Sequence, residues 1–361
     1  METKNRTDVQ SEAVESLLKS KRSGVAVSMG VGKTLIGLKH LDTLAPARVL
    51  VVAPKKSIFQ SWKDEMVKHN LQYLEPYITF STYISLPKQD LNYDVIYLDE
   101  CHNLLPSHEP WLDKFKGKIV GLTGTPPRFD SSTKGKLVKK FCPINYSYFV
   151  DDAVSDGILN DYKIVVHMLK LGTAKNIMAG GKTRKWPTSE LESYAYWCDR
   201  IDRSFSGNET MMLRIQRMKA MMSYPSKDSY AKNLFNSITD KCILFANTQD
   251  QADKLCQHSY HSENPDSEDN LLKFKAGVIS KLSAVLQLNE GVNIPELRQG
   301  IIMHAYGNER KSSQRIGRLL RLNPDETAVV HILCYEGTVD ETWVKSALSV
   351  FDQTKIIYKY Q

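Results

Sequence analysis

Short apolar runs separated by glycines alternate with amphipathic stretches through the first part of the chain. GVAVSM at 24–29, VLVVAP at 49–54, ITFST at 78–82, VIYLDE at 95–100 and KIVGLTG at 118–124 each predict a buried parallel strand. A strand covered on both faces needs no polar alternation. Between them, TLIGLKHL at 34–41 and IFQSWKDEMVKH at 58–69 carry apolar residues at helical spacing. Strand and helix in this alternation predict an α/β fold with a doubly wound parallel sheet, whose loops bind ligands at the carboxyl ends of the strands.

The pattern returns with YKIVVHMLKL at 162–171, KCILFAN at 241–247, a helix through QADKLC, then QHSYHS, LSAVLQL, QGIIMHA and AVVHILC, ending at 334. This is a second α/β lobe. Between 171 and 241 the texture changes: GGKTRKWP at 180–187 reads as a basic loop, followed by helical patterns at 189–205, 209–223 and 228–238, with Pro225 separating the last two. The expected division is a first lobe at 1–158 and a second at 159–361, the latter with a helical insertion at 172–238.

Composition narrows the class. With 361 residues, 42% hydrophobic and 25% charged, the chain can bury ample core over two or three domains. A net charge of +7 permits a polyanionic partner without requiring one. Six cysteines without a CxxC pair suit a reduced intracellular protein. METKNRTDVQ lacks the apolar core of a signal peptide, and no apolar run approaches a membrane span. The expectation is a soluble cytoplasmic protein, in the host cytoplasm if it is virus-encoded.

Four groups of residues carry chemistry. In Ser28-Met29-Gly30-Val31-Gly32-Lys33-Thr34 the glycines let backbone N–H groups face phosphate oxygens, and the following helix adds its positive end. Lys33 would reach the β- and γ-phosphates and the Thr34 hydroxyl would ligate magnesium. The full GxxxxGK pattern is not met, because Val27 holds the first glycine position. A strand-turn-helix with glycines for packing is the plainer reading of this loop alone.

Asp99 and Glu100 end the apolar run VIYLDE. Unpaired carboxylates there are costly to desolvate, and alternation points the two in different directions. That suits Asp99 on the metal and Glu100 polarising the attacking water. A capping acid pair is the alternative, which the upstream phosphate loop disfavours. Thr123 and Thr125 bracket Gly124, where small hydroxyls can relay the state of the γ-phosphate; a plain turn fixed by Gly124 and Pro126 is the other reading. Arg315, Arg318 and Arg321 share a helix face, and Gly317 among them implies close approach to something. Arginines of this kind raise phosphoryl-transfer rates roughly 10³–10⁵-fold.

Taken in order, SMGVGKT, DECH, TGTP, NEGVNIP and QRIGRLLR resemble motifs I, II, III, V and VI of the superfamily 2 helicases and translocases, DExH-type motors with two RecA-like lobes. VVAPKKSIFQSWKDE looks like motif Ia of the Swi/Snf branch. DECH, LTGTPPR and EGVNIP look closer to phage UvsW-type and XPB-like motors. The resemblance implies ATP and Mg2+ as cofactors and movement along nucleic acid, DNA favoured over RNA, with replication or recombination proteins as further partners. It implies nucleotide contacts from Gln10, Gly30, Val31, Gly32, Gly291, Asn293 and Gln314, and backbone contacts from Pro54, Lys55, Ser81, Thr82, Asn247 and Thr248. Asn293 stands where many relatives keep Asp.

Weaker signals remain. Lys182, Arg184, Lys185 and Trp186 would make a strand-gripping loop or wedge, the indole stacking on a base, or else a solvated loop. Lys134, Lys136, Lys139 and Lys140 read as a solvated face. Met211, Met212, Met218, Met221 and Met222 read as core packing. Cys256, His258 and His261 lack a fourth ligand at finger-like spacing and read as strand rather than zinc site. The expected function is an ATP-dependent DNA helicase or translocase. The alternatives are a duplex remodeller that does not separate strands, or the motor subunit of a restriction or recombination complex.

Overall fold

The computed structural model describes residues 3–28, 30–127, 129–159, 161–180, 185–285, 294, 297–305, 327–349 and 351–361. The chain forms two compact units, one running to Asp161 and the other beginning at Tyr162.

The first unit carries six parallel strands in the order β3-β2-β4-β5-β1-β6. They are β1 Arg22–Val27, β2 Val49–Ala53, β3 Ile78–Thr82, β4 Val95–Asp99, β5 Lys118–Thr123 and β6 Ile144–Tyr148, with helices α1 Arg6–Leu18, α2 Lys33–Leu44, α3 Ser57–Lys68, α4 Glu109–Lys114, α5 Thr133–Phe141 and α6 Val150–Ser155. Alternation along the strands builds two cores. Val49, Val51, Val95, Tyr97, Val120 and Leu122 pack with Ala13, Leu17, Ile36 and Trp62. Leu50, Val52, Ile96, Leu98 and Ile119 pack with Tyr83, Trp111, Phe115 and Phe141. The five strands expected from apolar runs are present. β6 was not expected: on this edge strand half-buried and exposed positions alternate up to the buried Tyr148, so INYSY shows no continuous apolar run.

The second unit has seven parallel strands in the order β11-β12-β10-β13-β14-β7-β15. These are β7 Tyr162–Leu169, β10 Cys242–Ala246, β11 Ser259–Tyr260, β12 Lys281–Val285, β13 Gln299–Ile302, β14 Ala328–Tyr335 and β15 Ile356–Tyr360. Helices α7 Glu190–Asp202, α8 Gly207–Met222 and α9 Pro225–Ser237 lie between β7 and β10 in the chain; α10 Gln249–Leu255, α11 Ser267–Lys275 and α12 Val339–Leu348 follow. Pro225 begins α9, where a missing N–H costs no helix bond. QHSYHS supplies a strand of only two residues.

Two expectations need correcting. The basic loop is flanked by an antiparallel pair, β8 Ile177–Gly180 and β9 Lys185–Thr188, with Trp186 opposite Ala179. Met211 and Met212 are exposed, because the buried stripe of α8 runs through Leu213 and Met221 on the other side. Lys139 and Lys140 pair with Asp130, Glu109 and Asp113 on a solvated helix, as expected. No described helix is long and apolar enough to cross a membrane.

Under α9 lies a fully buried ion pair. Lys227 Nζ donates to Asp340 Oδ2 at 2.5 Å and to the Leu333 carbonyl at 3.2 Å, and sits 4.4 Å from the centre of the Tyr335 ring. Asp340 Oδ1 has no hydrogen-bond partner among the described residues. Lys227→Met leaves that carboxylate without its counter-charge in the core, so unfolding free energy should fall by about 3–5 kcal/mol. Urea titration measures this. The double variant with Asp340→Leu should recover part of the loss, and an unchanged midpoint for Lys227→Met would mean that the pair contributes nothing.

Candidate active site

The loops after β1, β4 and β5 are neighbours because these strands are themselves neighbours in the sheet, β4-β5-β1. Gly30 and Gly32 both have φ of 100°, which L side chains rarely adopt. At Gly32 a Cβ would also meet Gln10 Nε2 at 2.8 Å. Backbone conformation therefore requires glycine here, and a side chain would also displace the Gln10 amide. Gly32 is the N-cap of α2 and no side chain caps that end. Its first-turn N–H groups are the kind of donors an anion takes up.

Gln10 latches the loop. Its Nε2 donates to the Val31 carbonyl at 2.7 Å and its Oε1 accepts from Lys39 Nζ at 2.8 Å. The Val31 side chain is wholly buried, so only its backbone faces the loop. Lys39 was not singled out in the sequence; its place on α2, nearly two turns beyond Lys33, was the only signal.

Lys33, the first residue of α2, donates to Glu100 Oε1 and lies 3.5 Å from Asp99 Oδ1. Asp99 is buried, and Trp62 Nε1 donates to its Oδ2 at 3.0 Å. Burial lifts the Asp99 carboxyl above its usual pKa; the Lys33 charge opposes this and the Glu100 charge adds to it. Glu100 has φ of 52°, a left-handed conformation for a non-glycine residue, held in place by its surroundings. That turn separates the two carboxylates, so their different directions come from backbone conformation as well as from strand alternation.

A polar chain links Glu100 to the loop after β5. Thr123 Oγ1 donates to Glu100 Oε2 at 3.3 Å, His102 Nδ1 lies 2.9 Å from Thr123 Oγ1, and the Thr125 N–H donates to that same hydroxyl at 3.1 Å. Asn103 Nδ2 donates to the Glu100 carbonyl at 3.0 Å. Thr123 and Thr125 thus belong to the network around the carboxylates and not merely to a turn. His102 stands within DECH, but its link to Thr123 spans 21 residues and is not visible in the chain.

Lys33, Asp99, Glu100, Thr123, Thr125 and Gln10 are brought together in the first unit, with Thr34 following Lys33 in the same helical turn. Pro54 and Lys55 follow β2, and Thr82 ends β3; Lys55 is exposed whereas Ser81 is buried. In the second unit Thr248 caps α10, accepting from the Gln251 N–H at 3.2 Å, and the Asn247 N–H donates to Gln251 Oε1 at 2.9 Å. Lys185 and Trp186 are exposed on β9. Lys182, Arg184, Gly291, Asn293, Gln314, Arg315, Arg318 and Arg321 lie outside the described residues.

The zinc alternative does not gain support. His261 Nε2 is 2.8 Å from Asp253 Oδ1 and His258 Nδ1 is 3.3 Å from Asn270 Oδ1. Among the described residues no three His, Cys, Asp or Glu side chains gather as a metal site.

Comparison with known proteins matches both halves of the chain. Residues 3–128 match the family "Type III restriction enzyme, res subunit", and residues 226–323 match the "Helicase conserved C-terminal domain". A curated relative, the DNA 3'-5' translocase XPB2 of Sulfurisphaera tokodaii, is 24% identical over 366 positions, 92% of this chain and 82% of the relative. Among solved structures, the ATP-dependent Type ISP restriction-modification enzyme LlaBIII bound to DNA aligns with a TM-score of 0.62 at 16% identity. It takes in 100% of this chain, which spans only 32% of that enzyme. The Pyrococcus furiosus Hef helicase domain aligns with a TM-score of 0.54 at 15% identity, over 94% of this chain and 97% of that one. At these identities the structures show a common fold, two parallel-sheet lobes of RecA-like type. With a phosphate loop after β1 and an acid pair at the end of β4, the two strands that flank β5, and both family models matched in order, the findings support a superfamily 2 helicase or translocase, an ATP-hydrolysing motor.

Proposed function

We propose that the chain is a DNA-stimulated ATPase that moves along DNA, with lobes at 1–158 and 159–361. The observation that carries the reading is Lys33, which ties the uncapped start of α2 to the Asp99–Glu100 pair. In this reading the amides of the glycine loop and the Lys33 ammonium bind the β- and γ-phosphates. Glu100 accepts a proton from the attacking water, and Thr123 with His102 holds that carboxylate in place. Arg318 and Arg321 are assigned the charge that stabilises the transferring phosphoryl group.

Magnesium suits the donors present. Asp99 is a buried carboxylate whose desolvation Lys33 does not fully offset, and Thr34 adds a neutral oxygen. The ion would neutralise charge on the phosphates.

DNA is favoured because the curated relative is a DNA translocase and the restriction enzyme is a complex with DNA. Pro54, Lys55, Thr82, Asn247, Thr248, Lys185 and Trp186 are the proposed contacts. Turnover measured with single-stranded, duplex and forked DNA and with RNA tests the polymer; the one that stimulates most is the substrate class. Backbone contacts to about five phosphates on one strand give a slope of log K against log salt of roughly −3.5. A slope near zero would exclude backbone tracking.

The relative is a DNA 3'-5' translocase, and translocation is common to both readings, a helicase and a duplex remodeller. Triplex displacement alongside strand displacement on the same protein decides. Triplex displacement without unwinding marks a remodeller or the motor of a restriction complex.

A further inference from the structure

The face of β4 that carries Val95 and Tyr97 also carries Asp99, by simple alternation. Trp62 of α3 packs on that face, fully buried and edge-on to Tyr97 with ring centroids 5.8 Å apart. Its ring is seated where α2 has glycine: a Cβ on Gly37 would lie 2.8 Å from Trp62 Cη2. A buried indole N–H needs a partner, and this one takes Asp99 Oδ2 at 3.0 Å rather than a nearby main-chain carbonyl. From the opposite face of the sheet, the buried Tyr83 hydroxyl donates to the Asp99 main-chain carbonyl at 3.0 Å. Asp99 is therefore held at its carboxylate from one face of the sheet and at its carbonyl from the other. The next residue is the left-handed Glu100, so any rotation of Asp99 would carry that strained turn with it.

Resting on the nucleotide-site reading above, we infer that Trp62 and Tyr83 are positioning residues that aim the Asp99 carboxylate at the magnesium of the bound nucleotide. Trp62 occupies one oxygen with a neutral donor, which leaves Oδ1, on the Lys33 side, as the oxygen that serves the metal. Hydrophobic packing alone would be satisfied by phenylalanine; orientation of the carboxylate would not.

The test is the magnesium dependence of nucleotide binding by the full chain, read from the fluorescence of mant-ADP titrated with MgCl2, with a parallel titration in EDTA. Trp62→Phe keeps an aromatic ring and removes the N–H. It should raise the half-saturating Mg2+ concentration about 10-fold or more, the range seen when the partner of a metal ligand is lost. Binding of mant-ADP in EDTA should stay within about twofold, which general damage to the fold would not allow. Tyr83→Phe loses only a hydroxyl and should raise the Mg2+ midpoint about threefold; it decides the matter if Trp62→Phe does not fold. Midpoints for both variants within about twofold of the parent overturn the inference alone. A parent protein whose mant-ADP binding ignores Mg2+ overturns the nucleotide-site reading along with it.

Discussion

Glu100→Gln should abolish DNA-stimulated ATP turnover, lowering kcat by about 10²–10⁴-fold, the usual contribution of a positioned general base. The glutamine amide can still occupy the site and still face Lys33, but it cannot take a proton from water. KM for ATP should change far less than kcat, because the loss falls on the transition state. Lys33→Ala should lower turnover by about 10²–10³-fold, since it removes a fixed charge aimed at the phosphates. The two variants should part company in stability. Glu100→Gln removes one of two adjacent carboxylates and relieves their repulsion, whereas Lys33→Ala leaves Asp99 and Glu100 facing each other without their shared cation. Thermal melts should place Lys33→Ala below Glu100→Gln. Turnover by Glu100→Gln within about tenfold of the parent would remove Glu100 from the role of base.

Acidification from pH 7 to 5 should destabilise the protein steeply, through histidines buried in the neutral form. His40 on α2 is lowered to about 4 by burial and by Lys118. On the second sheet His167 and His331 are also lowered to about 4, by burial first; Lys359 acts on both, and His331 also feels His167. The geometry agrees. His40 Nδ1 is 2.7 Å from the buried Tyr97 hydroxyl, and His167 Nε2 is 2.9 Å from His331 Nδ1, a contact that can hold one proton but not two. His331 Nε2 continues the chain to Gln299 Oε1 at 3.0 Å.

All three folded-state pKa values lie below the unfolded value of about 6.5. Between about pH 6.5 and 4 the unfolded chain binds more protons, so stability rises with pH there and is lost as pH falls. Each histidine contributes about 2 kcal/mol of loss by pH 5, roughly 6 kcal/mol in all, two thirds of it in the second unit. Asp99, raised by burial, works in the opposite sense, as one group against three. The check is chemical denaturation across pH 7 to 4.5. His331→Gln should flatten the dependence by about 1.4 kcal/mol per pH unit. Stability independent of pH between 7 and 5 would show that these side chains protonate without breaking the fold.

Legibility followed burial. Strands covered on both faces, such as VLVVA and VIYLD, announce themselves as unbroken apolar runs and were placed correctly. The edge strands β6 and β15 were missed because INYSY and IIYKY expose alternating or most positions and carry no such run. The pair β8–β9 was missed because the glycine and basic residues of GGKTRKWP read as loop, while the pairing depends on register between two separate segments. Of the methionines of α8 read as core from spacing alone, Met221 is buried but Met211 and Met212 are exposed, since spacing does not say which face of a helix is covered.

The sequence by itself determined the chemical inventory and its order: the glycine–lysine loop, the acid pair at the end of a buried strand, the threonines after the next, and the lobed α/β plan. These are local signals, since a turn that needs positive φ or a strand that needs apolar residues on both faces writes itself into a few consecutive positions. Only the tertiary structure decided how that inventory is wired. Lys33 reaches Glu100 across 67 residues, and Trp62 reaches Asp99 across 37. Strand order makes such meetings, because it sets β4, β5 and β1 side by side although the chain visits them far apart. A hydrogen bond between distant positions leaves no periodicity in either segment, so an indole that packs and an indole that also aims a carboxylate look the same until the sheet is assembled.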